Sequence, residues 1–196
     1  MKKENGENTC QCYLADQQLQ RLQEKVDSDL AQKMQQAGCL RCGGRLDRAD
    51  YPRKPRGGPE HWDERDSFCC FREGCRKRHT PPSVRFLGRK VYVGIVVILV
   101  SAMRHGLNPG SARILIERLG IDRRTLERWR EWWLETFVAG SFWKAARARF
   151  MPPICEKSLP RSLCEAFDID RRDRFLDLLK FLCPVTTTSI PLDRLI

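Results

Sequence analysis

Two short cysteine pairs constrain this chain more than any other feature. Cys39 and Cys42 are separated by two residues and followed by Gly43-Gly44, and Cys70 and Cys75 are separated by four. Two thiolates on one tight turn can grip a single ion, and glycines beside the turn let backbone N–H groups point at the sulfurs. Four thiolates from two such turns make the closed tetrahedral site of structural zinc, so Zn2+ is the expected cofactor, held by Cys39, Cys42, Cys70 and Cys75. Cys69 and Cys70 are adjacent and would face opposite sides of a strand, so only one can be a natural ligand. Cys70 is preferred because it makes the tighter turn. His79 is the reserve ligand. A closed set of four thiolates, with no Glu beside the pairs, argues against a catalytic metal.

Composition matters here through compartment and charge. The chain has ten Cys in 196 residues, yet its start, Met1 to Glu7, is polar and lacks the apolar stretch of a secretory leader. A cytoplasmic, nucleoid-associated protein whose cysteines bind metal or stay free is therefore expected. The longest apolar run, Val91 to Met103, is 13 residues, shorter than the roughly 20 that a bilayer span needs, so no membrane partner is expected. The net charge of +11 is concentrated at +7 over residues 41–90 and +5 over residues 104–150. A basic middle between near-neutral ends suits a polyanionic partner.

Periodicity organises the rest. Leu19, Leu22, Val26, Leu30 and Met34 predict a helix over residues 14–37, ended by Gly38. Its apolar stripe would dock on the protein's own core, or pair two copies in a short coiled coil. Residues 39–86 read as strand fragments and turns. From Arg89 the period is helical, with Asn108-Pro109 opening one helix and Gly120 closing it. Ile121 is then the buried turn residue, and Asp122 caps a helix from Arg123 whose apolar face is Leu126, Trp129, Trp133 and Phe137. Further helices are expected near 142–149, 160–167 and 171–182. The fold class is mainly α with a small β zinc ribbon. Its expected segments are 1–38 (polar start and helix), 39–88 (ribbon), 89–150 (helix-turn-helix) and 151–196 (C-terminal helices).

Helix, Gly-x-Asp turn, then an Arg-rich capped helix is the pattern of a DNA-reading helix-turn-helix. On the exposed face of the last helix, Arg124 and Arg128 sit at the N-terminal half, where the dipole disfavours cations. Glu131 and Glu135 sit toward the other end, where it disfavours anions. An anionic partner at the N-terminal half removes the first cost. The expected DNA contacts are Arg123, Arg124, Thr125 and Arg128 on this helix, Arg76, Lys77 and Arg78 after the second cysteine pair, and Arg53, Lys54 and Arg56 in a Pro/Gly-rich loop.

Taken in order, Cys39-x2-Cys42-Gly43, Cys70-x4-Cys75-Arg76-Lys77-Arg78 and Asp122-Arg123-Arg124-Thr125-Leu126-Glu127-Arg128-Trp129 resemble the N-terminal zinc ribbon and helix-turn-helix of bacterial insertion-sequence transposases. They also resemble short transposase-like proteins that carry only that part. The resemblance spans residues 39–137. It implies binding of double-stranded element-end DNA, with a partner transposase or a second copy of the chain as protein partner. The family's catalytic domain is an RNase H-like sheet with three acidic residues, larger than the 59 residues that follow Phe137. Asp168, Asp170, Asp173 and Asp177 crowd one short helix with basic neighbours and read as a solvated face. The resemblance thus implies DNA binding without strand cutting, and no enzymatic activity is expected. No Walker loop, dinucleotide fingerprint or nucleophile elbow occurs. The alternatives are a nuclease or transposase with an unrecognised active site, and an RNA- or protein-binding ribbon module.

Overall fold

The computed structural model describes residues 13–53, 56–88, 92–102 and 109–187. The chain is mainly helical, with small antiparallel sheets. It divides into two compact units. Of the described residues, a sheet unit holds those within 17–93 and 180–187, and a helical unit holds those within 13–16 and 94–179.

The sheet unit opens with α1, Gln17–Ala37, which Gly38 ends in a left-handed conformation (φ +74°). Five short strands follow: β1 (Leu46–Arg48), β2 (Tyr51–Pro52), β3 (Glu64–Arg65), β4 (Phe68–Cys70) and β5 (Arg78–His79). β4 lies between β1 and β5 in an antiparallel sheet, with Leu46 opposite Cys70 and Phe68 opposite His79. β2 and β3 pair separately. Ala31 and Met34 of α1, Leu46 and Phe68 of the sheet, and Cys39 and Cys70 form one small core.

The face that α1 buries differs from the expected stripe. Leu19, Gln23, Asp27, Ala31 and Met34 are buried, whereas Leu22 is exposed and Val26 and Leu30 are half-buried. A buried polar group must find partners, and these two find them in the segment after β5. Gln23 Nε2 donates to the Val84 carbonyl at 3.2 Å. The Asp27 carboxylate accepts from Val84 N at 2.7 Å, Ser83 Oγ at 2.5 Å and Arg85 Nε at 2.7 Å. Arg85 also reaches Asp66 at 3.4 Å and lies over the rings of Trp62 and Phe86. This network turns the helix away from its most apolar stripe.

In the helical unit, α2 (Gly94–Ala102) is buried at every position, as its unbroken apolar run requires. It packs against α3 (Pro109–Arg118), α4 (Arg123–Glu131) and α6 (Arg161–Phe167). Between α3 and α4, Gly120 takes φ +58° and Ile121 N donates back to the Ile116 carbonyl at 2.9 Å, so the turn buries Ile121. α4 does not stop at Glu131. It continues through a π-helical stretch, Trp132–Thr136, into Phe137–Ala139. Leu126, Trp129, Trp133 and Phe137 are all buried, as the pattern predicts. The rings of Trp133 and Trp143 lie 5.2 Å from that of Phe137. α5 (Ser141–Ala146), α6 and α7 (Arg172–Leu182) follow close to their expected spans, and α7 belongs to the helical unit only as far as Leu179.

Candidate metal centre

Each cysteine pair sits on a turn built by its neighbours. In the first, Gly43 N and Cys42 N both donate to the Cys39 carbonyl, at 2.7 and 3.3 Å, and Cys39 N donates to the Gly44 carbonyl at 2.8 Å. Gly43 closes the turn with φ +68°. In the second, Cys75 N and Arg76 N donate to the Arg72 carbonyl, at 3.1 and 3.3 Å, with Gly74 (φ +78°) and Arg76 (φ +42°) both left-handed. The β1–β4 pairing and the end of α1 bring the two turns face to face.

The structure brings Cys39, Cys42, Cys70 and Cys75 together, with all four sulfurs within 4.8 Å of one another. Cys42 Sγ lies 3.5 Å from Cys70 Sγ, and Cys39 Sγ lies 3.7 Å from Cys75 Sγ. A tetrahedron with metal–sulfur bonds of about 2.3 Å has edges of about 3.8 Å, so the donors stand close to the spacing a metal ion needs. Cys69 points away from the cluster, its Sγ 3.5 Å from the Arg76 carbonyl. His79 is not among the four donors. Its buried Nε2 stands 3.3 Å from Cys39 Sγ, and its Nδ1 has no hydrogen-bond partner among the described residues. With the proton on Nε2 the ring donates to that sulfur, which is the role of a supporting residue.

Gly44 is a site residue that spacing does not announce. A Cβ there would lie 3.2 Å from Cys70 Sγ and 3.4 Å from Cys42 Sγ, so a side chain would press on two donors. The signal available in the sequence was the second glycine of Cys-Gly-Gly.

Three of the four thiols, Cys39, Cys70 and Cys75, are electrostatically unequal. Burial pushes Cys39 up, but N–H groups of Arg41 and Cys42, with His79 and Cys75, outweigh it and hold Cys39 at about 5. Burial raises Cys70 to about 12. Cys75 receives the Lys77 N–H, yet burial and the neighbouring sulfurs leave it raised. A ready thiolate at Cys39 beside protonated Cys70 and Cys75 suits a site that a cation completes by displacing protons.

The expected DNA contacts differ in how their side chains are held. Arg53, Arg56 and Arg78 are tied to the fold. Arg53 donates to the Gly88 carbonyl at 3.1 Å, Arg56 to Tyr92 Oη at 3.2 Å, and Arg78 to the Ala49 carbonyl at 3.1 Å and Ser67 Oγ at 3.3 Å. Thr125 is buried rather than presented outward, because it is part of the cap. Its N and Oγ1 donate to Asp122 at 2.7 and 2.9 Å, and its Oγ1 accepts from Arg128 Nη2 at 2.9 Å. The Thr125 N–H and hydroxyl hold the Asp122 carboxyl below the usual range. Arg123 pairs with Glu127 at 2.8 Å, both exposed. The side chains of Arg124, Arg76 and Lys77 are exposed and bonded to no other described residue. Lys54 lies outside the described residues. Arg124 and Arg128 share an exposed face of α4 in the helical unit, and the remaining described arginines and lysine of the set belong to the sheet unit, apart from Arg123.

Among the described residues, no helix is long and apolar enough to cross a membrane. Compared with known proteins, the chain matches no family model, no curated protein and no solved structure.

Proposed function

We propose that this chain is a zinc-stabilised protein that binds double-stranded DNA, of transposase-like or mobile-element accessory type, with no catalytic domain of its own. The four-sulfur cluster supports the metal part of the reading, since an all-thiolate tetrahedral set is the donor chemistry of structural zinc. One observation carries the DNA part. α4 follows a tight Gly120-Ile121 turn, starts at an Asp122 cap, and presents Arg124 and Arg128 outward from its N-terminal half. Two guanidinium groups one turn apart at a helix start are placed to reach guanine edges in a major groove.

Selection of bound duplexes from random sequence, followed by binding measurements on two variants, tests this. Arg124→Ala should weaken the selected duplex by about 1–3 kcal/mol and flatten preference at one base pair. Lys77→Ala should weaken selected and scrambled duplexes alike and reduce the salt slope by about one. A selection that yields no motif, or an Arg124→Ala loss that is equal on both duplexes, would show that α4 does not read sequence.

A further inference from the structure

The tip of the second cysteine turn exposes an aromatic ring that nothing above explains. Phe71 directly follows the ligand-set residue Cys70, yet it is 58% exposed. Its backbone is fixed, with Phe71 N donating to the Arg45 carbonyl at 3.0 Å. The Arg45 guanidinium carbon lies 4.7 Å from the ring centroid, so one face of the ring is covered by a cation. Arg45 is oriented in turn by Asp47 at 3.0 Å. Arg72, Arg76 and Lys77 are exposed on the same turn, and Arg41 is exposed on the first. Against these five cations stand Asp47 and Glu73, so the tip is net positive.

More than half of Phe71 faces solvent, and among the described contacts the one side-chain group over its ring is the Arg45 guanidinium. A ring backed by a guanidinium on a net-positive turn fits one chemistry well: a nucleobase carried on a phosphate backbone. In a duplex both base faces are stacked, so the occupant that fits is an unpaired nucleotide. We infer that Phe71, backed by Arg45, is a stacking platform for unpaired bases of a DNA strand, with Arg41, Arg72, Arg76 and Lys77 neutralising its phosphates. This rests on the reading above only in placing DNA on the chain. It adds a second, sequence-tolerant mode that acts on single-stranded or unstacked DNA.

The test uses the full chain loaded with zinc, and fluorescence anisotropy with a mixed-sequence 20-nucleotide single strand and its duplex. Phe71→Ala should weaken the single strand by about 5- to 150-fold, the equivalent of the roughly 1–3 kcal/mol of one base–aromatic stack. Its salt slope should be unchanged, because no cation is removed. Phe71→Leu keeps an apolar side chain without a ring and should lose as much. Phe71→Trp should keep wild-type affinity and show quenching of the added tryptophan when the single strand binds. Zinc content equal to wild type shows that each variant is folded at the tip. Wild-type binding of the single strand by Phe71→Ala, or an equal loss on duplex and single strand, would overturn the platform. Duplex binding that still depends on Arg124 in that case would leave the proposed function standing. Loss of the Arg124 dependence with a Phe71-dependent single strand would do the reverse.

Discussion

Asp27 offers the sharpest test of how the sheet unit is held. Its carboxylate is 1% exposed and accepts three hydrogen bonds from Ser83, Val84 and Arg85. Asp27→Ala leaves the Val84 N–H buried and unpaired, at about 1–3 kcal/mol. It also takes the main partner from Arg85, whose side chain is only 11% exposed and which keeps one long contact to Asp66. Ser83 can turn, since its Oγ also accepts from Arg85 N and Phe86 N. The sum falls in the range of about 3–5 kcal/mol found when one partner of a buried pair is removed. That is a large part of the roughly 5–15 kcal/mol that holds a typical domain. Asp29→Ala, two residues on, removes only an exposed contact to Lys25 and should cost about 0.5 kcal/mol or less. Urea unfolding at fixed zinc, followed by tryptophan fluorescence, measures both. Replacing the pair together, Asp27→Leu with Arg85→Met, should recover much of the loss, because a packed apolar pair needs no partners. An Asp27→Ala cost below about 1 kcal/mol, or equal costs at Asp27 and Asp29, would refute this account of α1.

Metal analysis should find one zinc ion per chain, lost on Cys70→Ser and retained on Cys69→Ser; the opposite pattern would assign the fourth donor to Cys69. Zinc affinity should fall as pH falls. Cys70 (about 12) and Cys75 (raised) hold protons at neutral pH that the metal must displace, so competition with a chelator should show a loss of at least about a hundredfold per pH unit. A pH-independent affinity would contradict that. Gly44→Val should weaken zinc retention by crowding two sulfurs, with far-UV circular dichroism of the loaded protein little changed. Incubation of duplex DNA with magnesium or manganese should give no cleavage; cutting that disappears on mutating an Asp of this chain would overturn the non-catalytic reading.

The sequence showed the cysteine turns because ligand spacing is local: two donors and a glycine fix a turn without help from the rest of the chain. It also showed the inward face of α4, where four large apolar residues leave no competing register. It misled at α1, where Leu22, Val26 and Leu30 make the more apolar stripe but Gln23 and Asp27 meet partners some sixty residues away. Pairing across such a distance leaves no trace in periodicity. Thr125 was misjudged for a related reason, since a residue three beyond an Asp cap turns its hydroxyl back to the cap. Likewise, a basic loop does not reveal that Arg53 and Arg56 are already spent on Gly88 and Tyr92.

The π-helical stretch in α4 bears on how the chain tolerates change in length. Trp129, Trp133 and Phe137 are spaced by four, and each such step overshoots an α turn by about 40°. Two steps would carry Phe137 well round the cylinder. The wider turn at Trp132–Thr136 takes up that overshoot, which keeps all three rings inward. The stretch is therefore a phase corrector, one residue longer than the α turn it replaces. Upstream lies the face that carries Arg124 and Arg128; downstream lies the aromatic packing of Phe142 and Trp143. Deleting one residue inside it leaves a plain α-helix with the two faces still in nearly the same phase, whereas the same deletion in the regular part of α4 turns everything after it by about 100°.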